Sequence, residues 1–255
     1  MAEALARIGD GRLAKVVLAR EVTVDLDRPL DVATLVDRLR HQQPSCFTYA
    51  AGAYVGTSPE LLARRRGLEV LSRPMAGTVA QGRSAVDDRR LVAAMAASEK
   101  EQNEHRLVVD DVRAKLSLIA DRAPESTGPD VVRLSTVAHL ATAVGCRLRD
   151  PATSALEVAS LLHPTPAVAG VPGPAAMAAI AELEGFDRGL YAGPVGWVDA
   201  RGDGDWAVAL RSATLDGTRA RLVAGAGIVA GSDPDAEWDE TEAKLAAMRS
   251  ALTED

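Results

Sequence analysis

The stretch YAGPVGWVDARGDGDWAVALRSATLDGTRARLVAGAGIVA (191–230) decides the architecture. Three strand-like runs, YAGPVGWVDA, DWAVALRSATLD and RARLVAGAGIVA, follow one another across very short turns. Connections this short suit antiparallel neighbours, because a parallel pair needs a crossover of roughly a dozen residues or more. Outward from this stretch, KVVLAREVTVDL (15–26), CFTYAAGAYVG (46–56) and LEVLSRPMAGTVA (68–80) read as strands, the last two separated by a polar turn, RRRG. DVVRLSTVAHLATAVGCRL (130–148) reads as strand as well. Helical spacing marks 2–9, 31–42, a long segment over 84–120 with room for a break, 154–162, 174–184 and a last helix from about Asp235. RAPESTGPD (122–130) reads as the most mobile loop. Strands cluster in hairpins and helices are interspersed without strict alternation. The expectation is therefore an α/β (α+β) fold of layered, largely antiparallel sheets with helices packed outside, and not a doubly wound nucleotide fold.

Composition narrows the function classes. The chain has 255 residues, 47% hydrophobic and 25% charged, with only 3% aromatic, so Ala, Val and Leu must build the core. A net charge of −7 argues against a nucleic-acid groove and an anionic membrane surface. No apolar run approaches the ~20 residues of a membrane span, and the first residues lack the apolar core of a signal peptide. The two cysteines, Cys46 and Cys146, sit in apolar runs and read as free buried thiols, which suits a reducing cytoplasm. Lysine is scarce: Lys15, Lys100, Lys115 and Lys244 are all there are.

Several short stretches carry chemistry. EKEQNEH (99–105) puts Glu101 and Glu104 three apart on one helix face, and EWDETEAK (237–244) repeats the spacing with Glu237 and Glu240. Four carboxylates from two helices suit a hard cation such as Mg²⁺, although either pair alone reads first as a solvated helix face. TSPE (57–60) ends in Glu60 and reads locally as a turn with proline and glutamate in a first helical turn. Lys15 enters an apolar strand, compatible with an edge residue or a base. AGAGI (224–228) reads as a glycine turn between strand and helix; it lacks the spacing of a nucleotide loop, but its N–H groups suit a carboxylate. Arg211 and His139 each sit among apolar strand residues.

The order of these stretches is more specific than any one of them. KVVLAR, TSPELL, RPMAGT, EKEQNEHRLVV, VAHL, HPTPAVAGVP, RGLYAGPVGW, ALRSA, AGAGIVAGSDP and EWDETEAKL resemble, in sequence, the chorismate-utilising enzymes. That family includes isochorismate, salicylate, anthranilate and aminodeoxychorismate synthases, and the resemblance runs from about Arg12 to Leu252. It implies one chorismate-binding catalytic domain over 1–255. Family members usually carry a further N-terminal region, so the chain is expected to be the catalytic portion or a short member. A non-catalytic remnant that needs a partner is the competing reading.

By resemblance, Glu101, Glu104, Glu237 and Glu240 hold Mg²⁺. Arg211 and Tyr191 hold a substrate carboxylate with the backbone of Gly225 and Gly227, and Lys244 lies nearby. Gly77 and Thr78 line the ring pocket with His139. Lys15 matches the lysine of the water-adding members, where anthranilate synthase typically has glutamine. Ala167 stands where salicylate and anthranilate synthases usually have threonine. Together they point to isochorismate synthase, with salicylate synthase as the alternative, serving menaquinone, siderophore or salicylate formation. In the mechanism this implies, Lys15 takes a proton from water attacking C2, and Glu60 protonates the departing C4 hydroxyl. Glu60 must then carry a proton near pH 7, and Lys15 must give one up more readily than a free lysine. The expected partner is the small molecule alone. The chain is expected to be a monomer, or a dimer if a sheet edge lies exposed.

Overall fold

The computed structural model describes residues 1–253. In chain order the elements are α1 (Ala2–Gly9), β1 (Lys15–Asp25), α2 (Val32–Gln42), β2 (Phe47–Ala51), β3 (Tyr54–Ser58), β4 (Leu61–Arg66), β5 (Glu69–Arg73), β6 (Met75–Ala80), α3 (Ala85–Ala97), α4 (Glu99–Ser117), β7 (Glu125–Arg133), β8 (Val137–Arg147), α5 (Ala155–Leu162), β9 (Gly170–Val171), α6 (Gly173–Leu183), β10 (Pro194–Val198), β11 (Gly204–Val208), β12 (Ser212–Asp216), β13 (Arg219–Ile228) and α7 (Pro234–Thr253). No helix among the described residues is long and apolar enough to cross a membrane.

Two sheets form. One has the order β2-β3-β12-β13-β1-β9; the other runs β10-β11-β4-β5-β8-β6, with β7 on the far edge of β8. Every pairing is antiparallel, as the 191–230 stretch demands. That stretch nevertheless divides between the sheets. β10 and β11 join the second, whereas β12 and β13 join the first. The chain changes sheet at Arg211, which sits in the left-handed region at φ 49°.

The structure departs from the local sequence pattern at five places. Gly52, at φ 61°, turns the 46–56 run into the β2–β3 hairpin. Arg64–Arg66 lie in β4 and are not a turn: Arg65 is buried and donates to Asp203 Oδ1 at 2.8 Å, while Arg64 and Arg66 pair with Asp205 at 2.6 and 2.7 Å. Paired this way, the arginines tolerate a strand that propensity alone would not assign. No helix follows TSPE, since β4 begins at Leu61. Six of the nine residues of 122–130 belong to β7, which pairs with β8. AGAGI is the last half of β13 and not a turn. The helical segment 84–120 does break, at Ser98, which caps α3 and also accepts from Glu101 N–H at the start of α4.

Alternation along β13 separates two environments. Leu222 and Ala224 pack with Leu35 and Leu39 of α2 and Leu245 and Met248 of α7. Val223 points the other way, into a core with Leu62, Val70, Val112, Leu116 and Leu162 from the second sheet, α4 and α5. Helices cover the sheets, and the cleft between them is where β1, β6, β8 and β13 present their inner faces.

Candidate active site

The cleft holds a cavity of about 60 Å³. One wall is Val17 of β1 and Val223, Gly225 and Gly227 of β13; the other is Thr78 and His139. Glu60 closes it from the loop between β3 and β4. Glu60 is 3% exposed. Desolvation pushes its carboxyl up to about 7, against the lowering pull of Lys15, Lys244 and Arg211. Lys15 is fully buried at the start of β1, and its Nζ lies 2.9 Å from Glu104 Oε1 without an aligned hydrogen bond. Burial works against the Glu104 charge, but Lys15 holds that carboxyl below its ordinary range. The pair needs Gly227: a Cβ there would fall 2.1 Å from Glu104 Oε1 and 3.0 Å from Lys15 Cε.

On the facing wall, Gly77 takes φ 77° at a bulge in the β6–β8 ladder. The bulge lets Thr78 N–H donate to Glu101 Oε2 at 3.0 Å while Thr78 Oγ1 lies 3.1 Å from His139 Nδ1. Arg211 donates from Nη2 to His139 Nε2 at 2.8 Å. Burial, with Arg211 and Lys244 close by, keeps the imidazole well below its ordinary pKa, hence neutral at pH 7. An arginine only donates, so Nε2 accepts and the ring proton sits on Nδ1, toward Gly77 O at 3.3 Å. The histidine thus fixes the guanidinium at the cavity wall.

The glycines of β13 offer backbone donors. Val17 and Ala19, opposite Gly227 and Gly225, send their N–H groups to Ala169 O and Glu184 Oε1. Gly225 and Gly227 therefore direct theirs to the other edge, which has no strand partner beyond Val223. On that edge Lys244 donates to Gly225 O at 2.9 Å and pairs with Glu240 at 2.6 Å. The buried Tyr191 also lines the cavity, with Arg188 over its ring at 5.8 Å. Guanidinium, ammonium, phenol and backbone N–H groups on one side of the cavity are the donor chemistry that suits a carboxylate.

Of the four glutamates on α4 and α7, Glu104 lines the cavity, and the four do not close on one point. Among the described residues no three Asp, Glu, His or Cys side chains converge tightly enough to hold a metal ion. Lysines take them instead. Lys15 pairs with Glu104, Lys244 with Glu240, and Lys100 with both Glu237 at 2.7 Å and Glu101 at 3.2 Å. Burial raises the Glu240 carboxyl, aided by Glu104 and Glu237 and opposed by Lys244. The donor set is all oxygen and holds positive charge between the helices, which is the ligand chemistry of a hard divalent cation, although the carboxylates stand paired with lysines and not gathered on one point.

Sequence reasoning gave no role to three residues. Lys100 adjoins Glu101, and its scarcity as a residue type was the available signal. Lys115 donates to Leu162 O and Pro164 O at 3.1 Å each, and so holds the loop that brings Ala167 to the cavity. Arg188 braces the same loop through Val168 O at 2.8 Å, with Glu184 as its counter-ion. Lys115 carried the same signal of scarcity and Arg188 opens RGLYAGPVGW, but nothing in the sequence pointed to the carbonyls they hold.

The family described as chorismate binding enzyme matches residues 1–253. MenF of Mycobacterium tuberculosis is 46% identical over 95% of this chain and 68% of its own length. The isochorismate synthase DhbC of Bacillus subtilis is 39% identical over 98% of this chain and 66% of its own. The crystal structure of DhbC from Bacillus anthracis superposes with TM-score 0.94 at 37% identity, covering 98% of this chain and 69% of that one. The chain thus spans about two thirds of the length of these relatives. With matching profile, fold and order of site motifs, it belongs to the chorismate binding enzymes.

Proposed function

We propose that the chain converts chorismate to isochorismate, with Lys15 as base and Glu60 as acid. The observation that carries this reading is Glu60: a carboxyl 3% exposed that lines the cavity, is pushed up to about 7 by burial, and feels the charge of the buried Lys15 behind the cavity wall. A general acid works best with its pKa near the operating pH.

In the proposed step, Lys15, freed from Glu104 and in its neutral amine form, takes a proton from water as that water attacks ring C2. Both ring double bonds shift one position, the C4–O bond breaks, and the leaving hydroxyl takes the Glu60 proton and departs as water. Arg211, steadied by His139, holds a substrate carboxylate with the Gly225 and Gly227 N–H groups, Tyr191 and Lys244. Thr78 and Gly77 shape the ring wall, and Ala167 leaves room without supplying a hydroxyl. Glu101, Glu104, Glu237 and Glu240 would hold a magnesium ion, which when bound neutralises the ring carboxylate.

Incubation with chorismate and MgCl₂, followed by product separation, tests the reading. Isochorismate without pyruvate is expected. Pyruvate release would indicate a salicylate synthase, dependence on ammonia or glutamine an amination, and no turnover a binding-only chain.

A further inference from the structure

Three of the four lysines in the chain are spent on the four glutamates, and they are not equivalent. Lys15 is sealed, with a side chain 0% exposed, and Lys244 is also tied to Gly225 O. Lys100 is 28% exposed and borders a second, outward-facing cleft beside Gln102 and Asn103. It also spans two helices, bonding Glu101 on its own α4 and Glu237 on α7. It is therefore the one ammonium of the three with both a bridging position and a way out.

Resting on the magnesium reading above, we infer that Lys100 is the resident cation of the glutamate site: it occupies the space between Glu101 and Glu237, and a divalent cation must displace it outward to bind. Charge counting supports displacement over coexistence. Four carboxylates and three ammoniums sum to −1; adding a divalent ion with Lys100 in place gives +1, and with Lys100 withdrawn gives 0. A fixed ammonium a few ångström from a divalent ion is repelled strongly even at an intermediate effective dielectric. The side chain has a solvated path to take, because its stem needs only to rotate toward the second cleft. Lys100 thereby lowers the affinity for the metal and, in its absence, ties α4 to α7. It is a positioning residue, since it reaches substrate only through the glutamates.

Calorimetric titration of MgCl₂ into the substrate-free chain at fixed ionic strength tests this, with Lys100→Met, Lys100→Gln and Lys100→Arg beside wild type and circular dichroism to verify folding. Met and Gln should bind Mg²⁺ roughly tenfold more tightly, and Arg should bind no more tightly than wild type. In EDTA, the Met and Gln variants should melt below wild type, and saturating Mg²⁺ should remove the deficit. Binding by the neutral variants alone would support the inference most strongly. Equal or weaker binding by folded Met and Gln variants overturns it while leaving the metal site standing. No binding by any of the four proteins overturns the glutamate site and this inference together.

Discussion

Replacing Glu60 with glutamine separates the acid from the shape of its side chain. The shift from 4.5 to about 7 means that ionising this buried carboxyl costs about 3 kcal/mol more in the folded chain than in the unfolded one. The sign follows from a raised pKa. Below pH 4.5 the group is protonated in both states and carries no penalty. As pH rises from there through 7, the folded state retains a proton that the unfolded state has lost, and stability falls; above 7 the full penalty remains. Glu60→Gln, neutral throughout, should therefore gain on wild type as pH rises, by up to about 3 kcal/mol at pH 8.5, less whatever an unpartnered amide costs. Turnover should move the other way, falling ~10²–10⁴-fold with the proton donor gone, and the wild-type rate should decline above pH 7. Urea unfolding at pH 4.5, 6.5 and 8.5, with isochorismate formation across the same range, reads both. A stability difference that does not grow with pH, or a variant within threefold of wild-type turnover, would refute the reasoning.

Three further perturbations follow from the same geometry. Lys15→Ala should abolish turnover while equilibrium dialysis still shows Mg²⁺-dependent chorismate binding; leaving Glu104 buried and unpaired should also cost about 3 kcal/mol in urea unfolding, and normal turnover would remove the base assignment. Gly227→Ala puts a Cβ 2.1 Å from Glu104 Oε1, so the melting temperature should fall by several degrees and turnover with it; a variant that melts like wild type would contradict the packing. Arg211→Lys loses the planar contact with His139 and the forked grip on a carboxylate, so KM for chorismate should rise at least tenfold with a smaller change in kcat; an unchanged KM would move carboxylate binding elsewhere.

What the sequence determined by itself was mostly local and periodic. The antiparallel character of the sheets followed from turn lengths in 191–230, and the two glutamate pairs followed from helical spacing. The order of ten short motifs pointed to the family. What escaped was decided by contacts between distant residues. Arg64–Arg66 looked like a turn because only Asp203 and Asp205, far along the chain, make three arginines acceptable in a strand. AGAGI looked like a turn because glycine is a poor strand former; its place in β13 is set by the ladder with β1, and at Gly227 Glu104 and Lys15 leave no room for a side chain. The same holds for chemistry. A TSPE tetrapeptide does not reveal that its glutamate titrates near 7, because desolvation is supplied by the cavity closing around it. Nor does EKEQNEH reveal that Lys100 neutralises a carboxylate on α7, since that pairing exists only once the two helices meet at the sheet edge. Backbone periodicity is written in neighbouring residues; burial and charge balance are properties of the assembled tertiary structure.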